Sequence, residues 1–152
     1  MKTKTLSADR APVGPRKTTR ALSSDAIARR YLFVYGTLKQ GGKSHRELAK
    51  DPGVQFVGDA RIRGDLYQPR GADFPGAVPT SVPNRFVYGQ LFFMQNPRKT
   101  LAALDAFEDV DQGLFRRELV DVWVRGKRTK AWMYFYSRSV NPSDLLATGV
   151  YS

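Results

Sequence analysis

The chain contains no cysteine and a single histidine, His45. That excludes a thiolate nucleophile or thiolate metal site, and it argues against a Ser-His-Asp triad or a histidine-based zinc site. Any chemistry falls to carboxylates, hydroxyls and the backbone. One candidate group lies in the helix opened by Asn96 as N-cap and Pro97 in its first turn, which is expected to run to about Asp109. Leu101, Leu104 and Phe107 trace its apolar stripe, and Glu108, one turn beyond Leu104, falls inside that stripe. Asp105 sits at the edge of the stripe and Asp109 points well away from it. A carboxyl on a buried face is costly when ionised. Burial and the negative end of the helix both raise its pKa, the condition for a general acid/base. If the helix instead frays near Phe107, Glu108 simply reaches solvent.

The second candidate is backbone. Tyr31 to Tyr35 is a run of five apolar or aromatic residues, read as a buried strand, and Gly36 ends it. Thr37 and Leu38 follow, then a turn at Gly41-Gly42, with Ser44 placed to cap a short helix through Leu48. A strand that runs into a glycine turn leaves backbone N–H groups without ladder partners. Such groups bind carboxylates, phosphates or a developing oxyanion. Gly36 to Ser44 nearly spells a phosphate loop, but five residues, not four, separate Gly36 from the glycine before Lys43. The alternating strand–helix pattern of such folds is also missing downstream. The phosphate-loop reading is set aside.

The elements that must position these groups follow in order. Gln55 to Val57 and Ala60 to Tyr67 read as strands broken at Gly58 and Gly64. Residues 68–85 hold four prolines and two glycines and are expected to be a loop outside any sheet. Phe86 to Phe93 is apolar on both faces, as in a strand packed on two sides. Phe115 to Val124 and Lys130 to Tyr136 flank the basic, glycine-containing turn Arg125 to Arg128 and predict a hairpin.

At 152 residues, 41% hydrophobic and 12% aromatic, the chain is one globular domain's worth, and no apolar run approaches a membrane span. Its net charge of +11 is uneven: residues 1–30 carry eight Lys/Arg and two Asp, more than half of the excess. The expected organisation is a flexible basic extension over residues 1–29 and a folded domain over 30–152. The extension has no apolar core of a secretory signal, and Asp9 and Asp25 speak against a transit peptide, so a cytoplasmic location is expected. Nucleic acid is expected only as a nonspecific contact of the basic tail.

The run FVYGTLKQGGKSHREL, Phe33 to Leu48, resembles the opening of the γ-glutamylcyclotransferase-like family, in particular its γ-glutamylamine cyclotransferase (AIG2-like) branch. Three later stretches are similar to family segments in the same order: Phe74 to Val78, Val87 to Phe92, and Leu104 to Glu108 followed by Leu114 to Arg117. Phe115 stands where tyrosine is common, and the basic extension is unusual. Phe74 to Val78 taken alone reads equally well as an ordinary tight turn. The resemblance implies an α+β fold, a small mixed and mostly antiparallel β-barrel with short helices packed outside. It implies cyclisation of a γ-glutamyl substrate with release of 5-oxoproline and an amine or amino acid, without metal or cofactor. It assigns Glu108 as the general acid/base and the backbone of Tyr35, Gly36, Thr37 and Leu38 as the holder of the γ-glutamyl group. Tyr136 is a further candidate, as a pocket wall or a hydrogen-bond partner of Glu108, and it reads as well as a plain core tyrosine. A monomer or weak dimer is expected. The rival reading is a non-catalytic binding module on the same fold, tethered to nucleic acid by its tail.

Overall fold

The computed structural model describes residues 24–152, so most of the basic extension lies outside the described residues. Five strands close into a barrel: β1 (Tyr31–Val34), β2 (Val54–Arg63), β5 (Phe86–Met94), β6 (Phe115–Val124) and β7 (Lys127–Tyr136). Around the barrel the order is β1-β5-β2-β6-β7. Every pairing is antiparallel except the one that closes it, β1 with β7, where Leu32 faces Trp132. The short helices α1 (Ser24–Ala28), α2 (Arg46–Ala49) and α3 (Pro97–Phe107) are added to this barrel. The expected mixed barrel with short helices is the fold observed, and no helix among the described residues is long and apolar enough to cross a membrane.

Alternation along each strand divides the core in two. Phe33, Tyr35, Ile62, Val87, Leu91, Met133 and Phe135 fill the interior cluster. Leu32, Val34, Phe92, Met94 and Tyr134 point the other way and pack with Leu48 of α2 and Leu101 and Leu104 of α3. That explains why β5 reads as apolar on both faces: one side fills the barrel, the other takes the helices.

Several local signals behave as the sequence indicates. Asn96 caps α3 through a hydrogen bond its side chain accepts from the Lys99 N–H at 3.3 Å, with Pro97 in the first turn. The β6–β7 hairpin turns on two residues, Arg125 (φ 52°) and Gly126 (φ 74°), so it is tighter than the expected four-residue turn. Both residues are left-handed, which matches the twist of paired strands.

Other expectations are corrected. Gly58 does not break β2 but sits at a bulge, where the register against β5 slips between Phe56 and Gly58. The proline-rich stretch contains a short strand, β4 (Gly76–Val78), paired with β3 (Asp65–Tyr67) outside the barrel. Prolines 75 and 79 bracket it and confine it to three residues. Ser44 does not cap α2; His45 holds that position without a side-chain cap. Residues just before β1 pack against the barrel. Ala28 is buried, the Arg29 guanidinium lies over the Trp132 ring, and the Arg30 guanidinium donates to the Gln95 carbonyl at 2.9 Å.

Candidate active site

The end of β1, the end of α3 and the Phe74-Pro75 turn converge on one narrow cleft of about 30 Å³. Gly36, Thr37 and Leu38 form one wall, Phe74, Pro75 and Phe115 another, and Glu108 and Tyr134 also line it. The two stretches singled out in the sequence, about seventy residues apart, therefore meet.

The wall after β1 is polarised. The carbonyl of Gly36 accepts from the Lys39 N–H at 3.1 Å and that of Thr37 from the Ser44 N–H at 2.9 Å. The carbonyl of Leu38 accepts from His45 Nδ1 at 2.9 Å. In contrast, the N–H groups of Gly36, Thr37 and Leu38 donate to no acceptor among the described residues. The turn's carbonyls are thus taken up by its own chain while its N–H groups stay available beside the cleft, an arrangement that can accept an anionic or carbonyl oxygen. Gly36 is required by proximity: a Cβ there would stand 2.8 Å from Pro75 Cγ.

Helix α3 ends at Phe107, and Glu108 follows as its C-cap, with its N–H donating to the Leu104 carbonyl at 2.8 Å. Asp109 then turns left-handed at φ 54°. The helix stops where fraying would stop it, yet Glu108 still faces the cleft. Phe107, by contrast, is exposed, so the buried stripe is narrower than the sequence suggests. Partly open to the cleft, Glu108 loses enough water for burial to push its carboxyl up to about 7, and the charge of Asp109 adds to the rise. No group among the described residues donates a hydrogen bond to that carboxyl.

Asp105 is a different case. Its carboxylate is held by Arg117 through two hydrogen bonds, 2.8 and 3.1 Å, and by the Tyr134 hydroxyl at 2.7 Å. Burial works to raise its pKa, but the Arg117 and Tyr134 hydrogen bonds outweigh burial and the net shift is downward. It is a fixed joint between α3, β6 and β7.

The tyrosines divide the work differently from the sequence reading. Tyr35 points into the barrel, where its hydroxyl donates to the Tyr134 carbonyl at 2.7 Å and accepts from the Ala77 N–H at 3.1 Å. Its side chain ties β1, β4 and β7 together, and burial holds its phenol protonated well above the usual range. Tyr136 does not line the cleft; it packs against Phe74 and Phe115 and beneath Gly76, whose added Cβ would stand 2.6 Å from the ring. The cleft's tyrosine from β7 is Tyr134, two residues earlier on the same face. Sequence reasoning missed it, and marked the Phe74–Val78 and Leu114–Arg117 segments without giving Pro75 or Arg117 a role. The alternation of β7 could have suggested Tyr134, since it shares a face with Tyr136.

The family described as "Gamma-glutamyl cyclotransferase, AIG2-like" matches residues 32–152, the whole barrel and its helices α2 and α3. The chain belongs to this family. A curated relative, the "Gamma-glutamylcyclotransferase family protein YtfP" of Escherichia coli K12, is 35% identical over 120 residues, covering 78% of this chain and 92% of that protein. The fold is similar to that of an aig2-like protein from Mus musculus, with TM-score 0.65, 21% identity, and 81% and 88% of the two chains covered. It is also similar to YkqA from Bacillus subtilis, with TM-score 0.60, 23% identity and 80% of this chain covered. The chain spans only 39% of YkqA's length. In this γ-glutamyl cyclotransferase-family barrel, the motif Tyr35 to Leu38 and the acid Glu108 border one cleft.

Proposed function

We propose that the chain cyclises γ-glutamyl compounds, releasing 5-oxoproline and an amine or amino acid. The observation that carries this reading is the pairing, across one small cleft, of a carboxyl raised to about 7 with three backbone N–H groups, none of which has a hydrogen-bond partner among the described residues.

The reaction joins two ends of one substrate. The free α-amine attacks the δ-carbonyl, and a five-membered ring closes through a tetrahedral intermediate. Holding the chain folded for that closure removes entropy from the barrier, an effect worth several kcal/mol. An α-amine has a pKa of roughly 8, close enough to that of Glu108 for proton exchange between them to be nearly balanced. Glu108 takes the proton that the attacking nitrogen sheds as its bond to the δ-carbon forms. It returns that proton to the leaving nitrogen as the C–N bond breaks, and so ends as it began. The N–H groups of Gly36, Thr37 and Leu38 face the oxygen on which negative charge develops. A cleft this small suits the ring-forming end of the substrate and leaves the departing amine at its mouth.

The test is incubation of the purified protein with a panel of γ-glutamyl amines, γ-glutamyl dipeptides and glutathione, with 5-oxoproline as the readout. Turnover of any member supports the reading. Failure across the panel, with γ-glutamyl ligands still bound, would leave a binding module in its place.

A further inference from the structure

A second feature lies away from the cleft. Tyr88 pairs with Arg61, Arg61 with Trp123, and Trp123 with Arg128, in register across β5, β2, β6 and β7. Directly paired residues share one face of a sheet. Their neighbours Ala60, Val87 and Val122 fill the barrel, so this row points outward. Ring and guanidinium alternate across four strands. The Arg61 guanidinium lies 4.4 Å from the centre of the Phe86 ring, which meets Trp123 edge-on at 6.0 Å. Tyr88, Arg61 and Arg128 are exposed and Trp123 partly so. A groove of about 630 Å³ is lined by Tyr88, Arg61 and Trp123 of this row and by Arg125, with Arg128 outside its lining, and it shares no lining residue with the catalytic cleft.

The charges here lack carboxylate partners, although Arg125 donates to the Val57 carbonyl at 2.6 Å and Lys39 to the Tyr151 carbonyl at 2.8 Å. Arg85 and Lys130, close by in sequence, pair with Asp65 at 3.1 Å and Asp121 at 2.8 Å. Among the described residues no carboxylate lies in ion-pair contact with Lys39, Arg61, Arg125 or Arg128. Asp59 is the groove's single acid. The strands that carry Tyr88 and Trp123 lie about 10 Å apart, with β2 and its Arg61 between them. Flat rings and guanidinium groups without carboxylate partners on one face match a chain of exposed bases joined by phosphates.

We propose that this face binds single-stranded nucleic acid, with bases stacked on Tyr88 and Trp123 and phosphates held by Arg61, Arg125 and Arg128. A duplex hides its base faces and cannot use the rings. Attraction by net charge alone would favour the duplex, which packs more charge per unit length.

Fluorescence anisotropy of the full chain with labelled oligo(U) and oligo(dT) of about twelve nucleotides, against a duplex of the same length and heparin, separates the two. The single strands, of either sugar, should bind more tightly than the duplex. Tyr88→Ala removes no charge, and it should weaken single-strand binding about tenfold while leaving heparin binding unchanged. Arg61→Gln should weaken single-strand binding and reduce the salt slope by about one; it repeats the test should Tyr88→Ala melt early. Arg98→Gln, an equal charge change on α3, sets the baseline. The proposal is overturned if the duplex binds as tightly as the single strand, or if neither Tyr88→Ala nor Arg61→Gln exceeds that baseline. Equal displacement by free mononucleotides at the same nucleotide concentration would also overturn it, since a strand would then have no advantage.

Discussion

Asp105 and Glu108 stand one turn apart at the end of the same helix, and both lose water to the fold, yet their carboxyls are driven in opposite directions. Asp105 receives three hydrogen bonds from two strands and is held below the usual carboxylate range. Glu108 receives none among the described residues and rises to about 7. Burial acts on both and more strongly on Glu108, and the supply of partners sets the two further apart. A carboxylate saturated with donors becomes a fixed joint, and a bare one beside open N–H groups keeps a proton in play near neutral pH.

The sharpest way to break this contrast is to remove the proton acceptor. Glu108→Gln keeps the shape and is expected to fold, but 5-oxoproline formation should fall by a factor on the order of 10² or more. The pH dependence of stability gives an independent check. The folded-state pKa of Glu108 is raised, so its ionisation costs stability as pH climbs from about 4.5 through about 7. Replacing it with Gln should therefore raise the melting temperature more at pH 8 than at pH 4. Near-parental turnover would remove Glu108 from its role.

Gly36→Val attacks the other half of the cleft. Its Cβ would collide with Pro75 and push the N–H wall from its place, so the Michaelis constant should rise by about tenfold or more, and the overpacked contact should lower the melting temperature as well. A normal Michaelis constant would sink the backbone-cradle account.

Asp105→Asn should act mainly on stability. Loss of the charge-assisted pair to Arg117 should cost about 1–3 kcal/mol in denaturant unfolding at neutral pH. Because the pKa of Asp105 is lowered in the folded state, its contribution is present above the ordinary aspartate range and fades as pH falls through the lowered value. The parent and the variant should therefore converge in acid. Turnover should drop far less than in Glu108→Gln; an equal drop would erase the distinction drawn between the two acids.

The smallest effect is expected from Asp109→Asn. Asparagine tolerates the left-handed φ of 54° there, and removing the charge relieves part of the rise at Glu108. The acid limb of the pH–rate profile should move down by a few tenths of a pH unit, on the scale of a single screened charge. No movement would mean that burial alone holds Glu108 up.

Short-range signals made much of this protein legible in its sequence. The Asn96-Pro97 cap, the strand before Gly36, the existence of the β6–β7 hairpin and the two-faced β5 all rest on interactions within a few residues, or on the period of apolar side chains. Glu108 could be picked out for the same reason, since its place on the apolar stripe is local arithmetic. The tertiary structure alone decided who meets whom. Asp105 found Arg117 and Tyr134 on two different strands, Gly36 found Pro75, and Tyr35 turned its hydroxyl inward to Ala77 and Tyr134. The β1–β7 pairing that closes the barrel brings residues one hundred positions apart together, Leu32 and Trp132. No propensity or spacing encodes such partners, because they depend on the register of every strand between them. The sequence could point to an acid, and the barrel determined that this acid, unlike Asp105, would have no hydrogen-bond donor among the described residues.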